Sequence, residues 1–207
     1  MENIKKIFPI FANRQGLAYL DSAASAQKPA SVIDGMNWMY SNMYSNIHRG
    51  LYPLSLDASA AYDEARRKTA RFLGAREGEV VFVRGTTEAI NLVAQSYAGG
   101  FGAGDAIIVG GAEHHSNILP WLRLRERGAR VESIPWMPDG ALDYGWLEKN
   151  MSREVKLVAV SGQSNVVGLV NDVARVCEIA HRRGARVLVD AAQMAAHARI
   201  DVRELGA

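Results

Sequence analysis

An acid and an amide follow an apolar run close to the end of the sequence. Residues 187–189 (VLV) lead to Asp190, and Gln193 comes three residues later. Removing an ionised carboxylate from water is costly unless a cation or several hydrogen-bond donors compensate. A protonated nitrogen of a heteroaromatic ring would be a suitable partner for such an acid. The alternatives are that Asp190 caps a turn or pairs with an arginine.

Two hydroxyl groups follow another apolar run. Residues 80–83 (VVFV) lead to Gly85, and Thr86 and Thr87 come directly after this glycine, where helical spacing begins. The free amides and the dipole at a helix N-terminus attract anions, so a phosphate group would fit there. The glycine spacing is not that of the loops that bind dinucleotides or nucleoside triphosphates. The simpler interpretation is that one threonine only caps the helix.

Imidazole and amide groups follow two further apolar runs. His114 and His115 come after residues 106–110, and Asn165 comes after residues 156–162. An imidazole could stack on a planar ring or transfer protons, although many surface histidines have no such role. Zinc binding is not favoured, because adjacent side chains diverge and no third ligand has a useful spacing. Asn165 alone is a weak signal, since asparagine near glycine is ordinary in turns.

The elements that must position these residues are buried strands. Short apolar runs closed by polar or turn residues predict strands at 80–83, 106–110, 156–162 and 186–190, with a more polar edge strand at 130–136. Helical spacing predicts helices from about Ser55 to Leu73, from 90 to 97 and from 173 to 180. Asp172 and Gly184 are the expected N-cap and end of the last helix.

The alternation of strands and helices predicts an α/β fold. It favours a mostly parallel sheet with right-handed crossover helices. Ligands of such sheets bind beyond the carboxyl ends of the strands, which is where the polar residues above lie in sequence. A phosphate site, an imidazole, an amide and a buried acid at one edge together match pyridoxal phosphate (PLP), whose protonated pyridine ring acts as an electron sink.

Composition indicates a globular protein of the cytoplasm. The chain has 207 residues, of which 48% are apolar, and 24 basic residues nearly balance 22 acidic ones, so neither nucleic-acid nor membrane binding is predicted. A single cysteine, Cys177, excludes an internal disulfide and suits a reducing compartment. Cys177 lies on the apolar face of a predicted helix and is expected to be a small core side chain.

Six motifs resemble the SufS/CsdA-type cysteine desulfurases, which belong to the class V branch of the fold-type I PLP enzymes. The resemblance covers essentially the whole chain and lies in YLDSAASAQKP (19–29), NIHRG (46–50), VVFVRGTTEAINLVAQS (80–96), EHHSNILPW (113–121), SNVVG (164–168) and VLVDAAQ (187–193). It implies the large domain of a PLP-dependent transferase, incomplete in this chain.

The resemblance also implies roles for individual residues. Thr86 and Thr87 would hold the phosphate, and His114 would stack on the ring and assist catalysis by helping to move protons. Asp190 would pair with the pyridine nitrogen. Asn165 would lie near the phenolic oxygen of the ring and the substrate, and Gln193 would bond the phenolic oxygen. His48 and Arg49 fall in a segment near the active site of such enzymes, without an assigned role.

The activity implied by the resemblance is conversion of L-cysteine to L-alanine, with sulfur passed to an enzyme persulfide for iron–sulfur cluster assembly. A homodimer and a sulfur-acceptor protein are the implied partners. The alternatives are another class V enzyme (a selenocysteine lyase, or a kynureninase-like or transaminase-like enzyme) and a non-catalytic remnant. A plain nucleotide-binding domain is also considered, but the chain has no glycine-rich phosphate loop.

Comparison with the family pattern indicates an N-terminal portion. The Schiff-base lysine of the family lies in an S-G-H-K motif that would follow Ala207, and no lysine of this chain follows Asp190. The rest of the large domain, the small C-terminal domain and the loop with the sulfur-accepting cysteine would also lie beyond Ala207. Residues 80–83 would join the sheet through strands from that missing part. We therefore expect the 207 residues alone to be poorly stable and inactive.

Overall fold

A computed structural model describes residues 2–207 of the chain. The chain divides into two compact units, of which one ends at Lys68 and the other runs from Thr69 to Ala207. Within the first unit or beginning in it are four helices: α1 (Glu2–Lys5), α2 (Pro9–Asn13), α3 (Ala30–Asn42) and α4 (Pro53–Leu73). The long helix predicted from about Ser55 is thus confirmed. It begins at Pro53, because proline suits the first helical position, where no backbone donor is needed.

A fixed turn precedes α4 in the first unit. His48 has a left-handed backbone conformation, with φ of 68°, which is uncommon for a residue other than glycine. Its backbone N–H donates to Ser59 Oγ at 2.8 Å, and its Nε2 lies 3.2 Å from Asp63 Oδ1. The turn is therefore held by side chains of α4. All of these groups belong to the first unit.

The second unit contains a four-stranded sheet in which every pair of neighbours is parallel. The strands are β1 (Ala106–Gly110), β2 (Arg130–Ile134), β3 (Val155–Ser161) and β4 (Arg186–Asp190), in the order β2-β1-β3-β4. The α/β class and the parallel sheet are confirmed. The polar strand β2 lies at an edge, as its composition predicted.

Short and medium helices precede, connect and follow the strands. They are α5 (Thr86–Tyr97), α6 (Leu119–Leu122), α7 (Tyr144–Asn150), α8 (Val173–His181), α9 (Met194–His197) and α10 (Val202–Leu205). Turns of 3-10 helix lie at Glu77–Glu79, Ala98–Gly100, His115–Asn117 and Arg123–Arg127. The predicted N-cap of α8 is confirmed, since Asp172 Oδ1 accepts the Arg175 N–H at 3.0 Å. The helix ends at His181 with Arg182 as its C-cap, and Gly184, with a φ of 77°, follows two residues after that cap.

The core of the second unit lies on both faces of the sheet. Successive residues of a strand point to opposite faces, so Ile107 and Ile108 of β1 enter different clusters. One cluster joins β1 and β3 to Leu147 of α7 and Val176 of α8. The other joins them to Ile90 of α5 and to Trp121. Helices thus cover both faces, and the site can form only at the open ends of the strands.

Residues 80–83 were predicted as a strand, and this prediction is wrong for the chain as the structure describes it. They follow a 3-10 turn in an irregular segment, and the sheet is formed by β1–β4. Val80 is buried, whereas Val81 and Phe82 are 67% and 42% exposed. The reason is that β-branched and aromatic residues favour a strand only where a neighbouring ladder receives them.

Two further features bear on the predictions from composition. Cys177 is buried in the second unit, as predicted, and burial raises the pKa of its thiol. Across residues 2–207, no helix combines the length and the apolar character needed to cross a membrane.

Candidate active site

Asp190 ends β4 and is 7% exposed. It lies beside Ser161 in the sheet, and its backbone carbonyl accepts the Gly162 N–H at 2.8 Å. Its side-chain Oδ1 accepts the Ala192 N–H at 3.0 Å. Asp190 therefore does cap the turn after its strand, and within residues 2–207 it forms no ion pair with an arginine.

The second carboxylate oxygen of Asp190 remains open to a ligand. The hydrogen bonds of the side chain use Oδ1, and none of the donors in residues 2–207 reaches Oδ2. No fully buried side-chain nitrogen or oxygen in that part of the chain lacks a partner, so Oδ2 must keep some accessible surface. A buried acid with one oxygen fixed and one reachable is suited to accept a hydrogen bond from a cationic donor.

Thr86 and Thr87 occupy the first two positions of α5. The N-cap is Gly85, so neither threonine caps this helix in the way that the simpler interpretation required. The Thr87 hydroxyl instead lies 2.9 Å from Ser116 Oγ. Thr86 and Thr87 thus stand beside the first amides of a helix of 12 residues, where an anion is favoured.

The ring of His114 is held by Ser116. Its Nδ1 lies 2.6 Å from Ser116 Oγ and accepts the Ser116 backbone N–H at 3.1 Å. A ring nitrogen that accepts a backbone N–H carries no proton, so the neutral imidazole has its hydrogen on Nε2. The ring is exposed, and its Nε2–H is available to a ligand.

Ser116 links two elements of the site and was not singled out from the sequence. Its hydroxyl connects Thr87 on α5 to His114 on the loop after β1. Serine inside a polar turn gives no specific signal in a sequence, because turns use it often. Only the packing of α5 against the turn at 115–117 reveals the link.

Glu113 is a second buried acid, with 9% of its surface exposed. Its Oε1 accepts the Ser161 backbone N–H at 2.7 Å, and its Oε2 accepts Ser161 Oγ and Asn117 Nδ2, both at 2.6 Å. Burial raises the pKa of the Glu113 carboxyl, the three donors oppose this rise, and the charge of Asp190 adds to it. The sequence carried the same signal as for Asp190, an acid close behind an apolar strand.

Asn117 and Trp121 form the base of this cluster. Both are 0% exposed, and the indole Nε1–H donates to Asn117 Oδ1 at 3.1 Å. The amide of Asn117 therefore has one partner on each side, Glu113 and Trp121. The apolar body of Trp121 belongs to the core, so the polar cluster is attached to the packed interior.

Asn165 and Gln193 lie in the segments that follow β3 and β4. Asn165 is exposed in a loop that Ser164 fixes, since Ser164 Oγ accepts the N–H groups of Val166 and Val167 at 3.2 and 3.3 Å. Gln193 is the N-cap residue of α9, just after the turn that Asp190 caps. The structure therefore brings Thr87 and His114 into contact with the same residue, Ser116. It brings Glu113 and Asp190 together on either side of Ser161.

Comparison with known proteins identifies the family. The model of the class-V aminotransferases matches residues 18–207. The chain belongs to this family. Among curated relatives, a probable cysteine desulfurase of Halalkalibacterium halodurans is 46% identical, with 98% of this chain and 52% of the relative covered. A cysteine desulfurase of Dickeya dadantii is also 46% identical, with 99% of this chain and 51% of the relative covered.

Solved structures of two cysteine desulfurases share the fold. The apo cysteine desulfurase of Thermococcus onnurineus NA1 has a TM-score of 0.94 at 37% identity and is matched over 100% of this chain and 51% of that one. The cysteine desulfurase CsdA of Escherichia coli has a TM-score of 0.88 at 37% identity, over 99% of this chain and 51% of that one. The chain thus spans about half the length of the relatives that it matches.

Proposed function

We propose that this chain is the N-terminal part of a PLP-dependent cysteine desulfurase. The proposal is supported by the names of its relatives and by one observation in particular: the buried Asp190 keeps one carboxylate oxygen open at the carboxyl end of β4. An acid in that state is suited to a protonated pyridine nitrogen, because a charged hydrogen bond in a low-dielectric site offsets the desolvation of both groups.

The other residues at the strand ends fit the remaining parts of PLP. Thr86 and Thr87, with the first amides of α5, are suited to its phosphate. The exposed imidazole of His114 can lie on a ring face, and Ser116 fixes its orientation. Gln193 and Asn165 are assigned to the phenolic oxygen. When bound, PLP supplies an electron sink for breaking bonds at the α-carbon of an amino acid.

The chain's own contribution to the reaction is to bind and orient. In the proposed reaction, L-cysteine and an enzyme thiol give L-alanine and an enzyme persulfide: the carbon–sulfur bond of cysteine breaks and a sulfur–sulfur bond forms. His114 would hold or move a proton at Nε2, since its Nδ1 accepts from Ser116. The accepting thiol is not Cys177, because that side chain is buried in the core.

The proposal needs two groups from a longer protein. No lysine follows Asp190 in this sequence, so the Schiff-base lysine and the accepting cysteine would come from residues after Ala207. We call the protein in which this chain continues to the length of its relatives the full-length form. A homodimer, a sulfur-acceptor protein and a role in iron–sulfur cluster assembly in the cytoplasm are further parts of the proposal.

The test measures alanine release by the full-length form. We expect PLP-dependent formation of L-alanine and persulfide from L-cysteine. The polypeptide of residues 1–207, treated with PLP and borohydride, should retain no stoichiometric cofactor on its lysines. Alanine release from selenocysteine alone, or activity on another class V substrate alone, would support the alternative enzymes. Absence of any turnover and of PLP binding would support a non-catalytic remnant.

A further inference from the structure

Glu113 is the one strongly buried carboxylate of the site that the proposed reaction does not use. Its two oxygens accept from three donors: the Ser161 N–H, the Ser161 hydroxyl and the Asn117 amide. Each of these hydrogen bonds is 2.6 or 2.7 Å long, as is usual for an ionised acceptor. The carboxylate is therefore fully engaged inside the protein, unlike that of Asp190.

The Glu113 carboxylate takes the place of a main-chain acceptor at the end of β3. The paired residues of β1 and β3 end at Val109 and Ala159, while the last residue of β1, Gly110, pairs with Ile134 of β2. The Ser161 N–H donates to Glu113 Oε1 at 2.7 Å, a side-chain acceptor just beyond the end of the β1–β3 ladder. The side chain thus satisfies a buried donor that would otherwise cost free energy.

The end of β1 is shaped to receive this side chain. A Cβ atom at Gly110 would collide with Glu113 Oε1, so glycine at this position leaves room for the carboxylate. Gly110 is buried, and its φ is not positive, so its backbone conformation does not require glycine. Glycine is needed at this position because a side chain would have no space. The Glu113 carboxylate therefore occupies a specific position that depends on glycine at residue 110.

His114 lies between two fixed neighbours. Just before His114 in the sequence, the Glu113 carboxylate binds Ser161 of β3. Two residues after His114, the Ser116 hydroxyl links the imidazole ring to Thr87. Asn117 closes the turn by donating to Glu113 and accepting from the buried Trp121. The direction of the imidazole is therefore set by a turn whose main anchor is Glu113.

We propose that Glu113 is a positioning residue of this site, whose carboxylate anchors the turn that orients the His114 imidazole and fixes its tautomer. The role of Glu113 in the reaction rests on the proposed function. The orientation of His114 can be measured in the protein without PLP. A glutamine at position 113 cannot replace the acid, because its NH₂ group would face one of the donors from Ser161 or Asn117.

The experiment compares Glu113→Gln with wild type in the full-length form, using Glu148→Gln as a matched control at an exposed site of α7. Nitrogen-15 NMR of the cofactor-free protein reads the two ring nitrogens of His114, assigned with His114→Gln. We expect a single Nε2–H tautomer in wild type and in the control. Glu113→Gln should give mixed tautomers and a PLP dissociation constant about tenfold higher, the effect of losing one buried hydrogen bond.

The outcomes separate the two proposals. If Glu113→Gln keeps the wild-type His114 spectrum and PLP affinity and only unfolds more easily, the positioning role is wrong. If Glu113→Gln does not fold, Ser161→Ala removes one donor to Glu113 and should produce a second His114 tautomer; an unchanged spectrum there also overturns the inference. If wild type binds no PLP, the proposed function is wrong, while the His114 spectra still decide the positioning role.

Discussion

At the scale of single residues, two acids beyond the ends of β1 and β4, on either side of β3, have different surroundings. Glu113 is satisfied by three internal donors, whereas Asp190 has one fixed oxygen and one open oxygen. A carboxylate that is fully hydrogen-bonded inside the protein can organise structure but has no capacity left for a ligand. The open oxygen of Asp190 has that capacity. Glu113 is therefore suited to a structural role, and Asp190 is suited to bind a ligand.

The raised pKa of Glu113 predicts a pH dependence of stability. Its folded-state pKa lies above the ordinary value of 4.5, chiefly because of burial. The folded state therefore binds the proton of Glu113 more tightly than the unfolded state does. The stability that Glu113 contributes to the free energy of unfolding is fully present below the unfolded pKa and is lost as pH rises through the folded pKa. Urea denaturation of the cofactor-free full-length form should show this loss in wild type and not in Glu113→Gln.

The opposite slope would contradict this account of Glu113. If the difference in unfolding free energy between wild type and Glu113→Gln grew in favour of wild type as pH rose from 4.5, the carboxyl would have a lowered pKa. The hydrogen bonds from Ser161 and Asn117 would then outweigh burial. Glu148→Gln serves again as the control, because the Glu148 side chain is 58% exposed.

At the scale of elements, the sequence predicted the strands that pair with one another in the sheet. The bounds predicted for β1 and β4 agree with the structure, because each is a short apolar run with a clear polar or glycine end. Residues 80–83 have the same local pattern but lie outside the sheet. Local propensity was equal in these segments, so the difference arises from tertiary pairing, which a local pattern does not contain.

Hydrogen exchange can test whether residues 80–83 become a strand when the chain is continued. In the polypeptide of residues 1–207, the Val81 and Val83 amides should exchange faster than those of β1 by at least about 100-fold, because Val81 is 67% exposed while the centre of β1 is buried. In the full-length form they should be protected like β1. Protection in the shorter polypeptide equal to that of β1 would show that the segment needs no further strands.

The polar cluster of the site was less predictable than the strands. The positions of His114 and Asp190 at strand ends followed from the rule for parallel sheets. The links through Ser116, Asn117 and Trp121 did not, because each depends on side chains that meet only after α5, α6 and β3 have packed. Serine, asparagine and tryptophan also occur in turns and cores without such a role, so their types alone gave no signal.

At the scale of the whole molecule, the second unit is a parallel sheet with helices on both faces and polar residues at the carboxyl ends of its strands. Membership in the class-V aminotransferases and the match to about half of each cysteine desulfurase agree with the motifs recognised in the sequence. The central claim is that Asp190, on this edge, holds the ring nitrogen of PLP.

The most direct test is titration of PLP into the full-length form carrying Asp190→Asn, with Asp139→Asn as the control at an exposed turn. Loss of one hydrogen bond to a charged group should raise the PLP dissociation constant about 10- to 100-fold, while the control should match wild type. An Asp190→Asn protein with wild-type PLP affinity and an unchanged cofactor spectrum would contradict the claim.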